Sequence, residues 1–111
     1  MVFITGGAYQ GKREFAKKNF PECKIMENYQ RSINEQMRCG LDPIEEAELL
    51  LENEELDRLV ILCNEVGGGI VPLDTFERDY RENVGRVSCL FAEKADRVIR
   101  VVAGIGVTIK E

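Results

Sequence analysis

A chain of 111 residues suits one compact domain, 1–111, able to bury roughly two-thirds of its unfolded surface. With 44% apolar and 32% charged residues the composition is that of a globular protein, and a net charge of −5 without a basic run argues against a nucleic-acid partner. No apolar stretch is long enough to cross a bilayer and no leader-like basic and apolar segment opens the chain, so the expectation is no membrane partner and a cytoplasmic location.

Val2-Phe3-Ile4-Thr5 reads as a short buried strand running straight into Gly6-Gly7-Ala8-Tyr9-Gln10-Gly11-Lys12-Arg13. An amphipathic helical pattern over 11–19 follows at once, with Phe15 and Ala16 facing inward, and Pro21 ends it. Strand, Gly-x-x-x-x-Gly-Lys loop and helix is the order that a phosphate-binding loop requires. Glycines let the backbone turn tightly and present N–H groups to an anion, and the helix points its positive end at the same place. Residues 6–13 are therefore the candidate nucleotide-binding loop, with Lys12 reaching the outer phosphates as a point charge. The motif asks for Ser or Thr after the lysine, whose hydroxyl would hold Mg²⁺; this chain has Arg13.

Cys23-Lys24-Ile25-Met26 is a second short strand ending at Glu27-Asn28, and residues 30–39 read as a helix with Ile33 and Met37 inward and Gly40 as its stop. Asp42-Pro43-Ile44-Glu45 starts another helix, Asp42 capping, Pro43 at the first turn and Glu45 closing a reciprocal box, running to about Asn53 with an acidic outer face. Leu59-Val60-Ile61-Leu62-Cys63 is a continuous apolar run, as for a parallel strand buried on both faces. It ends at Asn64-Glu65 before Gly67-Gly68-Gly69.

A long helix starts near Asp74, with Phe76, Tyr80, Val84, Val87, Phe91 and Ala95 as its core stripe. Gly85 within it marks a site of close packing or ligand approach. Val98–Val102 is a further strand, and Gly104-Ile105-Gly106 turns it into Val107-Thr108-Ile109 as an antiparallel edge hairpin.

Alternating strands and helices predict an α/β fold of three layers: a mostly parallel sheet, covered on both faces, with that C-terminal hairpin at its edge. Right-handed crossovers put the carboxyl ends of the parallel strands on one side, where ligands bind in such sheets. The loop 6–13, Glu27-Asn28 and Asn64-Glu65 all fall there. Nucleotide-transferring enzymes of this kind need a carboxylate beside the loop, and Glu27 and Glu65 are the candidates: one serves the metal and the other acts as base or substrate contact. Asn64 and Gly67 flank Glu65 as further substrate contacts, and Arg86 and Arg31 are candidate phosphate contacts.

The chain contains no histidine, which removes imidazole acid–base, nucleophilic and ligand chemistry together. Its cysteines, Cys23, Cys39, Cys63 and Cys89, are too far apart in sequence for a zinc clip or a redox pair. Each sits among apolar neighbours, so buried free thiols are expected.

Asn64-Glu65-Val66-Gly67-Gly68-Gly69-Ile70-Val71-Pro72, Gly85-Arg86-Val87 and Val102-Ala103-Gly104-Ile105-Gly106-Val107 closely resemble the C-terminal half of the bifunctional adenosylcobinamide kinase/adenosylcobinamide-phosphate guanylyltransferase family. The opening Thr5-Gly6-Gly7-Ala8-x-x-Gly11-Lys12 is similar to that family's P-loop. The resemblance implies a P-loop NTPase fold and a role in cobalamin assembly. It also implies GTP or ATP with Mg²⁺ as cofactors, a corrinoid acceptor, and a trimer.

Family members phosphorylate the aminopropanol arm of adenosylcobinamide and then transfer GMP to that phosphate through a guanylylated histidine. They are considerably longer. The piece absent here, between the first helix and Lys24, is the strand and helix bearing that histidine. Alignment of Ile25–Tyr29 with the family's acidic strand end implies Glu27 as the metal-side carboxylate. The expected function is thus a cobinamide-type kinase, with Lys12, Glu27 and Glu65 catalytic, metal binding weakened by Arg13 and guanylyl transfer lost. The alternative is a non-catalytic nucleotide- or phosphate-binding module.

Overall fold

A computed structural model describes residues 1–66 and 74–111 of the chain. In order they form β1 (Val2–Gly6), α1 (Lys12–Asn19), β2 (Lys24–Met26), α2 (Tyr29–Arg38), α3 (Pro43–Asn53), a 3₁₀ turn (Leu56–Arg58), β3 (Leu59–Asn64), α4 (Thr75–Lys94), β4 (Arg97–Val102) and β5 (Ile105–Lys110). The sheet runs β2-β3-β1-β4-β5. The pairs β2–β3, β3–β1 and β1–β4 are parallel, and β5 lies antiparallel to β4. The fold is therefore α/β, P-loop-like and mostly parallel, with an antiparallel edge pair.

β1 is central because its alternate side chains feed both cores, as the period of two in a strand requires. Phe3 joins Ile61 and Cys63 under Tyr29, Ile33, Ala47, Val84, Val87 and Phe91. Ile4 joins Val60, Leu62, Ile99 and Val101 under Ala16 and Phe15. The layers are unequal: among the described residues α2, α3 and α4 contribute to the first core, whereas α1 with the Phe20–Cys23 segment after it covers the second. Phe91 is wholly buried, its ring edge-on to Tyr29 at 4.9 Å and tilted against Phe3 at 5.8 Å.

Local signals explain the helix starts. Asp42 accepts a hydrogen bond from the Ile44 N–H at 3.0 Å, with Pro43 in the first turn. Asp74 accepts from the Phe76 N–H at 2.8 Å and the Glu77 N–H at 3.4 Å. Both leave fewer orphan donors at a helix end.

Three expectations are corrected. The hairpin turns at Ala103 (φ 50°) and Gly104 (φ 79°), not at 104–106; Ile105 and Gly106 already belong to β5. Two successive left-handed residues match the right-handed strand twist, and here an alanine accepts one of those positions. Gly85 meets no atom within 4 Å of the place a Cβ would take, so close packing among the described residues does not explain it. Of the cysteines, Cys63 is buried and Cys23 half-buried, but Cys39 and Cys89 are exposed, because a helix end and an outer helix face turn them to solvent despite apolar neighbours in sequence.

Candidate phosphate-binding cleft

β1 ends at Gly6, where a side chain is excluded: a Cβ would stand 2.5 Å from the Val101 carbonyl oxygen of β4. The turn then passes through Tyr9 at φ 60° to Gly11 at φ 88°, the residue preceding α1. A positive φ is easy for Gly11 but unusual for a bulky residue such as Tyr9, whose ring is fully exposed at the loop's tip.

Lys12 opens α1 and folds back over the loop. Its Nζ donates to the Gly7 carbonyl at 2.6 Å and to the Gly6 carbonyl at 3.4 Å, and the residue is only 8% exposed. Burial lowers its pKa, offset in part by the negative charge available at Cys63 and Glu65. Its hydrogen-bond partners are neutral carbonyls, and no carboxylate lies within ion-pair distance among the described residues.

A cleft of about 360 Å³ opens over this loop. Residues 8–14 line it together with Glu27, Asn28 and Arg31 from the β2–α2 junction and Leu62 and Asn64 from β3. The structure thus brings Ala8, Tyr9, Gln10, Gly11, Lys12, Arg13, Glu27 and Asn64 to one place, with Arg31 beside them. Arg13 does not stand free: its Nε lies 2.8 Å from the Glu27 carboxylate, an ion pair at the cleft that leaves Arg13 58% exposed.

Glu65 sits next to the cleft, its N–H donating to the Gly6 carbonyl at 2.8 Å and tying the end of β3 to the loop. Its carboxylate does not line the cleft. It is held in a two-pronged pair by Arg100 of β4, whose Nε and Nη2 donate at 2.7 and 3.1 Å. Arg86 is not brought to this cleft: it pairs with Glu82 at 3.0 Å on the exposed side of α4, where Val84 and Val87 take the inward positions. Gly67 lies outside the described residues.

Sequence reasoning missed the supports of this site. Buried Gln30 accepts from the Asn64 N–H at 2.9 Å and donates to the Asn28 side chain at 3.3 Å, which joins the ends of β2 and β3. Asn28 adopts φ 53° there. Gln10 grips the hairpin turn twice, its carbonyl accepting from the Gly104 N–H and its Oε1 from the Ala103 N–H, both at 2.7 Å. An amide at a helix start carries no motif. Arg100, by contrast, was visible as one charge inside an apolar strand.

Residues 40–109, which run from the end of α2 into β5, match the family described as cobinamide kinase / cobinamide phosphate guanyltransferase. The chain belongs to this family. The loop 6–13 lies ahead of the matched stretch. The bifunctional adenosylcobalamin biosynthesis protein CobU of Salmonella typhimurium is 49% identical over 53 residues, covering 48% of this chain and 29% of that protein. CobU of Escherichia coli is 47% identical over the same shares. The bifunctional adenosylcobalamin biosynthesis protein CobP of Pseudomonas aeruginosa is 37% identical over 67 residues, 59% of this chain and 39% of that protein. The match thus covers well under half the length of each relative.

The divalent cation that kinase chemistry implies needs oxygen donors. The residues present do not fit one. Arg13 stands where a hydroxyl is wanted, Glu27 is paired with Arg13, and Glu65 is paired with Arg100. Among the described residues, no group of three or more His, Cys, Asp or Glu side chains converges in a way that could hold a metal ion. Among the same residues no helix is long and apolar enough to cross a membrane.

Proposed function

We propose that the chain, as one nucleotide-binding domain over 1–111, holds GTP or ATP on Gly6–Arg13 and transfers the terminal phosphoryl group to a hydroxyl of a corrinoid precursor in cobalamin biosynthesis. The observation that carries this reading is Lys12: a buried ammonium at the head of a strand–loop–helix turn, bonded to neutral carbonyls alone. Such a charge is matched when an anion enters the cleft. Backbone N–H groups and the N-terminus of α1 add fixed positive potential at the same point. In the transfer, the acceptor oxygen forms a bond to the terminal phosphorus as the bond to the leaving diphosphate oxygen breaks, and Lys12 stabilises the charge that spreads over the phosphoryl oxygens. Glu27 or Glu65, freed from its arginine, takes the hydroxyl proton, and Asn64, Glu65 and Gly67 are the acceptor contacts assigned from the sequence.

Guanylyl transfer through a histidine adduct has no residue to run on in these 111 positions. A trimer is the assembly that the resemblance supplies. A second reading, a non-catalytic nucleotide-binding module, is favoured by the two arginine pairs that occupy Glu27 and Glu65.

The test is to incubate the purified chain with adenosylcobinamide and either nucleotide and to follow phosphorylated product by chromatography. Turnover is expected, and Lys12→Ala should lower it by about 100-fold or more, the scale of one lost transition-state charge contact. Tight nucleotide binding without product would favour the module, and no turnover with either nucleotide overturns the kinase.

A further inference from the structure

A nucleoside triphosphate carries several negative charges, and phosphoryl-transfer sites ordinarily offset part of them with a divalent cation. Here that cation's usual protein donors are occupied or replaced, as the Arg13–Glu27 pair shows. Lys12, Arg13 and Arg31 line the same cleft, against the carboxylates Glu14 and Glu27, so cations outnumber carboxylates there by one. The Arg31 guanidinium has no ion-pair partner among the described residues. Arg13 is more than half exposed, so its pair with Glu27 is a surface pair that contributes little and exchanges readily. A planar guanidinium can grip a phosphate with two parallel N–H donors, which a point charge cannot.

We infer that this cleft takes a nucleoside polyphosphate as the metal-free anion, with Arg13 turning from Glu27 to the phosphates and supplying, beside Lys12 and Arg31, the charge a divalent cation would bring. Glu27 is then the partner that Arg13 leaves, and not a metal ligand. The proposal rests on the nucleotide-binding reading above and narrows it to one ionic form of the ligand.

The experiment is isothermal calorimetry of the whole chain with GTP and with ATP, each in excess Mg²⁺ and in EDTA. The wild-type chain is expected to bind as tightly in EDTA as in Mg²⁺, or more tightly. Arg13→Ser should weaken binding in EDTA by at least about tenfold, the size of one charge-assisted hydrogen bond, while binding in Mg²⁺ is kept or improved. That change in metal dependence distinguishes a replaced cation from a general loss of positive charge, which would weaken both conditions alike. Circular dichroism checks that the variant is folded, as expected for a half-exposed surface side chain. Wild-type binding more than tenfold weaker in EDTA overturns the inference and leaves the nucleotide reading standing. Binding in neither condition overturns the nucleotide reading itself.

Discussion

Lys12 and Arg13 are adjacent in sequence and opposite in situation. The helix start turns Lys12 inward over the loop carbonyls and Arg13 outward to Glu27. The sequence pattern placed both at a phosphate loop, but which charge would be buried depended on the direction of α1. Cys63 shows the same dependence. It is the buried thiol of the set, and burial pushes its pKa from an ordinary 9.0 up to about 11. The unfolded thiol ionises first as pH rises, so the native state is favoured in full below about pH 9 and loses that advantage progressively towards pH 11. Urea unfolding at stepped alkaline pH should show a decline of about 2–3 kcal/mol from this group. Tyr29 and Tyr80, also raised by burial, decline in the same direction at higher pH. The difference between wild type and Cys63→Ala isolates the thiol, and equal pH slopes in the two would refute the assignment.

The β4–β5 hairpin and the phosphate loop behave as one structural unit. Gln10 joins them through two hydrogen bonds, a Cβ on Gly11 would lie tight against Gly104 at 3.3 Å, and Gly6 admits the β4 backbone at a distance that excludes a side chain. Gly106 does the same for the Phe15 ring of α1. This gives a physical reason for the Val102–Val107 motif, which lies far from the loop in sequence yet shapes its outer wall. Gln10→Ala is expected to cost about 1 kcal/mol of stability, the net value of one exposed hydrogen bond. Nucleotide affinity should fall further than that, several-fold, because the loop loses its anchor at the hairpin. Thermal unfolding and calorimetry on the same sample test the split, and an affinity unchanged from wild type would show the anchor to be structural only. The elements themselves were legible. Apolar runs, capping residues and Pro21 placed every helix and strand to within a few residues. The hairpin turn was the exception, since Ala103 is a poor signal for a left-handed position.

At the scale of the whole molecule, the two faces of the sheet are unequally supported. Among the described residues one core packs three helices and centres on Phe91, and the other packs one helix, α1, with Phe20 and Cys23 beyond its end. Phe91→Ala should therefore cost about 3–5 kcal/mol, a large part of the roughly 5–15 kcal/mol typical of a domain. Denaturant unfolding measures it, and a loss under about 1 kcal/mol would show that the Phe3–Tyr29–Phe91 cluster is not the centre of the core. By itself the sequence determined the α/β class, the mostly parallel sheet with its edge hairpin, the glycine-rich turn between strand and helix and the absence of imidazole chemistry, because periodicity, caps and residue types act locally. Only the tertiary structure decided which charges meet. Arg13 with Glu27, Arg100 with Glu65 and Gln30 between β2 and β3 are contacts between segments brought together by the sheet. No local pattern encodes such pairings, since they depend on strand register and helix direction at once.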